Sequence, residues 1–213
     1  MQSMVYLVFC MLLGLAWTFQ SVILTQENFD LERFMGRWYE VAVVSTCPYY
    51  MQRKKGSPVV ALELKHFPKE DSFTVTAATF RNGSCKETST VYSLTNISGR
   101  FFHHVSRLGA DVDSFVVHTN YDQHTMILQL STEKPSGNKT AIVKLYSRTT
   151  DMTHPVLDSF KTLVRKHGIN DDVIIINQQE GECAPAAPVT EPSTRPQIPV
   201  PSSMTTHLYE SEK

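Results

Sequence analysis

Eight short runs rich in Val, Thr, Phe and Tyr follow one another through the middle of the chain. They cover residues 38–46, 58–67, 72–80, 88–95, 100–106, 114–121, 125–131 and 140–148. Turn-forming residues separate them, including Asn82-Gly83, Ser98-Gly99 and the segment Pro135–Asn138. The runs recur roughly every 10 to 14 residues, without helical segments between them, and this spacing is typical of antiparallel β-structure. The pattern predicts an all-β meander, closed as a barrel or folded as a sandwich.

The hydrophobic period changes after the eighth run, in the segment 155–168. Pro155 stands near its start and Gly168 follows its last turn, as at the ends of a helix. One helical face carries Val156, Leu157, Phe160, Leu163 and Val164. We expect this amphipathic helix to pack outside the sheet, with a short final strand in "DVIIIN". Residues 186–213 are rich in Pro, Ser and Thr and are predicted to form a disordered tail.

The first 24 residues carry no charged side chain. The apolar run at residues 5–16 is shorter than the roughly 20 residues that a membrane-spanning helix needs. We interpret residues 1–18 as a signal peptide; a retained anchor is the alternative, because no Lys or Arg precedes the run. The mature chain is predicted to be secreted, extracellular and not membrane-spanning. Sequons that fit a glycosylated surface occur at Asn82, Asn96 and Asn138.

Charge and cysteine content exclude several classes of function. A net charge of −1 gives no electrostatic basis for binding nucleic acid. Cys10 would leave with the signal peptide, so Cys47, Cys85 and Cys183 remain. An odd number in an oxidising compartment predicts one disulfide and one free or intermolecular thiol. These are too few for a zinc site, no metal site is predicted, and familiar hydrolase and phosphate-binding motifs are lacking.

Three motifs, in this order, resemble the signature regions of the lipocalin family. They are Gly36-Arg-Trp38, Thr119-Asn-Tyr121 before a hairpin turn, and Arg148 at the end of the eighth run. The resemblance implies an eight-stranded up-and-down antiparallel barrel with one closed end and the helix outside. It covers residues 26–185, which we take as the barrel domain. "VSTCP", "CKETS", "KLYSR" and "GECAP" resemble the alpha-1-microglobulin branch of the family.

The resemblance implies a structural role for four residues and a disulfide. Trp38 should point into the closed end, and Arg148 stacked on its ring would contribute about 0.5 to 2 kcal/mol. Thr119 and Tyr121 belong to the second signature region. The resemblance also implies a disulfide between Cys85 and Cys183. The branch has its lipocalin half joined to two Kunitz inhibitors, but the cysteines here are too few for them, so we expect no protease inhibition.

Cys47 is thereby left unpaired at the end of the first strand. Counting inward positions by twos from Trp38 places Thr46 inward and Cys47 outward, but Pro48 ends the regular pleat, so Cys47 is predicted on a loop at the barrel rim. If that loop folds back, the basic cluster 53–55 would favour its thiolate. The resemblance implies a reactive thiol, associated with reduction, radical capture and haem binding. The alternatives are an inert buried cysteine or an intermolecular crosslink, for example to a plasma protein.

Lys144 and several histidines complete the candidate ligand site. Lys144 has the parity of Arg148 and should point inward, either as a nucleophilic amine with a lowered pKa or paired with Glu40 or water. Val105 and Ser131 stand where the branch has its other lysines. His103 and His118 are candidate haem ligands, with His104 and His124 as further possibilities. Polar histidines of the core or surface are the alternative interpretation.

The sequence therefore predicts a secreted binding protein that requires no cofactor. We expect it to bind small hydrophobic molecules, haem included, and to trap radicals or oxidants through Cys47. One alternative is a plain carrier of a retinoid, steroid or fatty acid without redox function. A second is an isomerase with a cysteine nucleophile, which would need Cys47 inside the cavity.

Overall fold

The computed structural model describes residues 23–81, 83–178 and Cys183. Eight strands form a closed antiparallel barrel, in which each strand pairs with the next and β1 pairs with both β2 and β8. A short ninth strand pairs with Ala42 and Val43 of β1. The strands are β1 (Gly36–Ser45), β2 (Val60–His66), β3 (Ser72–Arg81), β4 (Ser84–Leu94), β5 (Arg100–Val105), β6 (Ala110–Thr119), β7 (His124–Glu133), β8 (Lys139–Ser147) and β9 (Ile175–Ile176). The predicted barrel is confirmed.

Three α-helices accompany the barrel in the described part of the chain. Helix α1 (Leu31–Phe34) precedes β1, α2 (Pro48–Lys54) lies between β1 and β2, and α3 (His154–Lys166) follows β8. Two 3-10 turns cover Ser106–Leu108 and Asp171–Val173. Among the residues described, no helix combines the length and apolar character that crossing a bilayer requires.

Helix α3 packs on the outer wall of the barrel, as predicted. Its side chains Phe160 and Val164 are fully buried. They belong to a core cluster with outward-facing residues of β1, β7 and β8, including Val44, Leu128 and Leu145. The spacing of four between the two buried positions of α3 gives one apolar stripe, which covers part of the wall and leaves the barrel interior open.

Strand β1 contains an irregularity that the sequence does not reveal. Glu40 pairs with Tyr146 and Ala42 pairs with Leu145, so Val41 has no partner on β8. Two residues of one strand thus oppose a single step of the other, as in a β-bulge. The extra residue exchanges the inward and outward faces of the strand beyond it.

The bulge changes which side chains at the end of β1 point inward. Beyond it, Val43 lies opposite Lys144, and paired residues share a face of the sheet. Thr46 is exposed, whereas Cys47 lines the large internal cavity. Simple alternation, which placed Thr46 inward and Cys47 outward, is therefore wrong because it did not include the inserted residue.

The predicted disulfide is present and fastens the end of the described chain to the barrel wall. Cys85 of β4 and Cys183 are bonded across a sequence separation of 98 residues. Cys183 is buried beside Ala61 and Ala78. The proposed signal peptide (1–18), Asn82 and the tail (186–213) lie outside the described residues.

Candidate functional site

A cavity of about 590 Å³ occupies the end of the barrel opposite Trp38. The connecting segments β1–β2, β5–β6 and β7–β8 contribute to its wall, as do inward side chains of the strands. Cavities of about 300 to 1,000 Å³ are typical of small-molecule sites. A second cavity, of about 40 Å³, lies deeper among aromatic and aliphatic side chains and shares Tyr92 and Gln129 with the first. The barrel interior is therefore apolar at the bottom and mixed above.

Cys47 is the free cysteine of the described chain and lines the larger cavity. It is half-buried at the residue before α2, where Pro48 begins the helix. Its backbone N–H donates to Oγ of Ser45 at 3.1 Å, and its carbonyl accepts from the N–H of Met51 at 3.1 Å. The backbone around the thiol is thus held by two hydrogen bonds at the mouth of the barrel.

The basic residues after Cys47 have partners of their own. The guanidinium of Arg53 lies 5.7 Å from the centroid of the Tyr49 ring. Nζ of Lys54 lies 2.5 Å from Oε1 of Glu40. This ion pair ties helix α2 to the wall of β1.

Glu40 and Lys144 form the buried electrostatic centre of the site. Nζ of Lys144 lies 3.0 Å from Oε2 of Glu40, so each carboxylate oxygen contacts one lysine. Burial alone would raise the pKa of Glu40, but Lys144 and Lys54 outweigh it and lower the pKa to about 2. The carboxylate is therefore ionised at neutral pH.

The same ion pair corrects one prediction for Lys144. Burial lowers the pKa of this ammonium, but the attraction of Glu40 is stronger, and the pKa lies well above its ordinary value. Lys144 points inward and lines the cavity, yet it stays protonated. The interpretation as a nucleophilic amine is thus wrong, and the alternative of an ion pair with Glu40 is the observed one.

Tyrosine hydroxyls surround these charges. Burial raises the pKa of Tyr50 to about 12, and it also raises the pKa of Tyr92 and of Tyr146. All three hydroxyls therefore stay protonated at neutral pH and can donate hydrogen bonds. Tyr50 and Tyr92 line the larger cavity.

His103 lies in the cavity wall, whereas its neighbour His104 is exposed and bonded to Asp111 at 2.7 Å. The His103 ring packs on Tyr92 with 4.3 Å between centroids, and its Nδ1 has no hydrogen-bond partner among the described residues. Burial, and then the positive charge of Lys144, lower the pKa of His103 to about 4. The imidazole is neutral at physiological pH.

His118 lies away from the cavity. It is exposed on β6, and its ring is 5.3 Å from that of His124. The register of β6 and β7 shifts between Val116 and His118, so the residue after the irregularity changes face. The position of His118 gives no support to its predicted role in ligand binding.

Trp38 and Arg148 close the other end of the barrel. The guanidinium carbon lies 3.6 Å from the centroid of the indole ring, and the indole N–H donates to the carbonyl of Phe34 at 2.8 Å. Arg148 also donates to the carbonyls of Tyr121, Arg37 and Arg33, at 2.8, 2.7 and 2.9 Å respectively. This arrangement fixes the base on which the interior is built.

The second signature region supports the same end. Oγ1 of Thr119 accepts from the N–H of Tyr121 at 2.9 Å. The Tyr121 hydroxyl accepts from the N–H of Asp30 at 2.9 Å, which connects the residue before α1 to the β6–β7 turn.

The sequence predicts Glu40 only as a possible partner for Lys144, and it does not connect Lys54 with either residue. An available signal was the parity of Glu40 with Trp38, which places a carboxylate in the interior of an otherwise apolar strand.

The family model for the lipocalin / cytosolic fatty-acid binding protein family matches residues 35–181. The chain belongs to the lipocalin family. This lipocalin is 42% identical over 204 residues to Protein AMBP of Pleuronectes platessa, which covers 92% of this chain and 57% of that protein. It is 35% identical over 172 residues to Protein AMBP of Mus musculus, covering 81% and 49% respectively. The chain thus spans about half the length of the curated relatives it matches.

A solved structure shares the fold at lower identity. It is described as "The Siderocalin Ex-FABP functions through dual ligand specificities", with a TM-score of 0.60 and 19% identity. The match covers 73% of this chain and 96% of that one. It supports the barrel architecture. The family match, rather than this structural likeness, indicates a carrier of small ligands.

Proposed function

We propose that this lipocalin is a secreted scavenger that binds small hydrophobic ligands, haem among them, and uses Cys47 as a redox thiol. One observation carries the proposal: the unpaired thiol lines the same cavity of about 590 Å³ as the neutral imidazole of His103. A ligand held in this cavity lies beside both groups.

The cavity wall fits haem in its chemistry. His103 is buried, unprotonated at neutral pH and has an Nδ1 without a hydrogen-bond partner among the described residues. A neutral imidazole is a common ligand of haem iron, which would supply the metal chemistry when bound. Val105, Val112 and Ile142 offer apolar surface to a flat ring system, and Lys54 and Lys144 offer positive charge to its carboxylates.

Cys47 would act by transferring a hydrogen atom to an organic radical in the cavity or at its mouth. The S–H bond breaks, the radical takes up the proton with one electron, and the sulfur remains as a thiyl radical. A second thiol from the surroundings, after giving its proton to water, can combine with it as the thiolate to form a disulfide radical anion. Transfer of one electron from this anion to molecular oxygen yields the mixed disulfide and superoxide. The same chemistry would allow a disulfide-linked plasma protein as a partner.

Secretion is supported by the chemistry of the described chain. The Cys85–Cys183 disulfide suits an oxidising compartment. Asn96 and Asn138 are exposed, as N-glycosylation requires, and Asn138 also lines the mouth of the cavity. Expression of the complete chain in cultured animal cells should deliver glycosylated protein to the medium. Retention of the unmodified chain in the cells would contradict this part of the proposal.

Titration with haemin tests the binding function. We expect a shift of the Soret band on addition to the wild-type protein, and a change of its position or affinity in His103→Gln. His104→Gln is the matched control, because the neighbouring ring is exposed and bonded to Asp111. The absence of a shift would remove haem from the proposal, and equal effects of the two variants would remove His103 as its ligand.

A stable coloured organic radical tests the redox function. We expect the wild-type protein to bleach about one equivalent of the radical and Cys47→Ser to bleach none. Equal bleaching by both proteins would leave the plain carrier of a retinoid, steroid or fatty acid as the better interpretation.

One observation favours the isomerase alternative, since Cys47 lines the cavity. Mass spectrometry and chromatography of a polyene ligand, before and after incubation with the protein, distinguish a carrier from an isomerase. A carrier returns the ligand unchanged, whereas an isomerase acting through Cys47 converts it and loses that conversion in Cys47→Ser.

A further inference from the structure

The interior of the barrel carries a surplus of one positive charge. Two largely buried ammonium groups, those of Lys54 and Lys144, contact the single carboxylate of Glu40, at 2.5 and 3.0 Å. The exposed fraction of the side chains is 17% for each lysine and 4% for Glu40. Taking a charge out of water is costly unless a counter-charge balances it. Glu40 balances one of the two lysines.

The two lysines belong to the cavity wall, unlike the glutamate that they both contact. Lys54 and Lys144 line the cavity and Glu40 does not. Each ammonium has three N–H donors, and Glu40 accepts one from each lysine. Within the described chain, the ion pairs with Glu40 are the ones found for these two Nζ atoms. Donors of both lysines are therefore available to a ligand.

The rest of the wall adds positive charge and little negative charge. Five cationic side chains and one carboxylate, that of Glu133, line the cavity. The cationic residues are Arg53, Lys54, Arg81, Arg107 and Lys144. The three arginines are exposed and their field is screened by salt, whereas the two lysines lie in the interior. A cleft lined by one sign of charge attracts ligands of the opposite sign.

We propose that the ligand is an amphipathic anion whose carboxylate binds between Lys54 and Lys144, inside the barrel rather than at its mouth. The inference rests on the proposed ligand-binding function and names the chemical class that the cavity selects. The anion supplies the missing counter-charge and accepts the free N–H donors. The hydroxyls of Tyr50 and Tyr92 lie in the same wall and can donate to it as well. Val60, Val112 and Ile142 pack on the apolar part.

A polyene fatty acid and its methyl ester form a matched pair of probes for this inference. They share the same chain, both fluoresce more strongly in an apolar site, and they differ by one charge. We expect the acid to bind the wild-type protein at least about tenfold more tightly than the ester. Raising the salt concentration should lower the affinity for the acid by less than about threefold, because the two lysines are largely buried.

Three variants test the position of the headgroup. Lys144→Met leaves a balanced pair of Lys54 and Glu40, so the preference for the acid should fall about tenfold while the ester binds as before. Glu40→Gln increases the surplus positive charge and should increase the affinity for the acid. Arg81→Met is the control at the mouth and should change either affinity by less than about threefold.

Near-ultraviolet circular dichroism of each variant, which reports the packing around Trp38, identifies those that retain the fold. Lys54→Gln, on the short helix α2, serves as a second interior variant if Lys144→Met does not fold. Equal binding of acid and ester by the wild-type protein would overturn the anion proposal and leave the carrier function intact. If the preference for the acid fell as much in Arg81→Met as in Lys144→Met, the headgroup would lie at the mouth, and the proposal would be overturned. Binding of neither probe would contradict both proposals.

Discussion

Lys144 and Glu40 lie 3.0 Å apart on neighbouring strands, and together they set the electrostatic character of the barrel interior. The carboxylate also contacts Lys54, so a single acidic side chain joins β8, β1 and helix α2. The side-chain amide of Asn177 donates to the carbonyl of Glu40 at 2.7 Å and holds this part of β1 from the other side. The centre is thus part of both the fold and the candidate site.

Glu40→Gln should lower the free energy of unfolding by about 3 to 5 kcal/mol at pH 7, because it leaves two buried ammonium groups without their counter-charge. Urea denaturation followed by tryptophan fluorescence measures this loss. Glu27→Gln is the control: this residue is exposed, and its substitution should change stability by less than about 0.5 kcal/mol. Similar values for the two variants would show that the buried cluster contributes little.

The contribution of Glu40 should also depend on pH in a defined direction. Its pKa in the folded protein is about 2, below the ordinary value of 4.5. The stabilisation is therefore complete above about pH 4.5 and is lost as the pH falls toward 2. The difference in stability between wild type and Glu40→Gln should be constant from pH 7 to about 5 and shrink below that. A difference that stays constant down to about pH 3 would contradict the lowered pKa.

Arg148→Met should destabilise the closed end by about 2 to 4 kcal/mol, since it removes the contact with Trp38 and three hydrogen bonds to backbone carbonyls. Arg148→Lys should recover less than half of this loss, because an ammonium lacks the planar fork that reaches several carbonyls at once. Urea denaturation gives both values. Full recovery by lysine would indicate that charge alone matters at this position.

Cys47 should be the thiol that reacts with iodoacetamide in the native protein, with about one equivalent incorporated. Cys85 and Cys183 are bonded to each other and should remain unlabelled until reduction. A bound ligand should slow the reaction, because Cys47 lines the cavity. Peptide mapping by mass spectrometry locates the label, and Cys47→Ser is the control. Labelling at the same rate with and without ligand would place the ligand away from the thiol.

The double variant Cys85→Ser with Cys183→Ser should be about 2 to 5 kcal/mol less stable than the wild type, since the disulfide closes a long loop of the unfolded chain. Changing both cysteines avoids an additional free thiol. The loss should disappear when both proteins are compared in the presence of a reductant. An equal stability of the oxidised proteins would mean that the bond does not restrain the chain.

The strands, the outer helix and the residues that close the barrel could be predicted from the sequence. Trp38 and Arg148 belong to motifs with a fixed place in the fold, and the spacing of Phe160 and Val164 reports a helical face directly. The first part of β4 was missed, since this strand begins at Ser84 and the prediction began at Thr88. Its residues 84–87 are all exposed, so they lack the alternation by which strands are recognised.

The positions of individual side chains in the site could be predicted less well from the sequence. Bulges in β1 and β6 each shift the face of the residues that follow, and they moved Cys47 into the cavity wall and His118 out of it. A bulge depends on how two strands fit together across the sheet, and a pattern of apolar and polar residues along one strand does not contain that information.

The sequence by itself indicated successive antiparallel strands and an odd cysteine after removal of the leader, and its motifs implied a barrel closed by Trp38 and Arg148, because local periodicity, short motifs and cysteine number are properties of the chain. The tertiary structure decided which side chains share the interior. Lys144 is far in sequence from Glu40 and Lys54, and the three charges interact strongly only because burial removes the water between them. The state of Lys144, protonated and paired rather than nucleophilic, follows from that proximity.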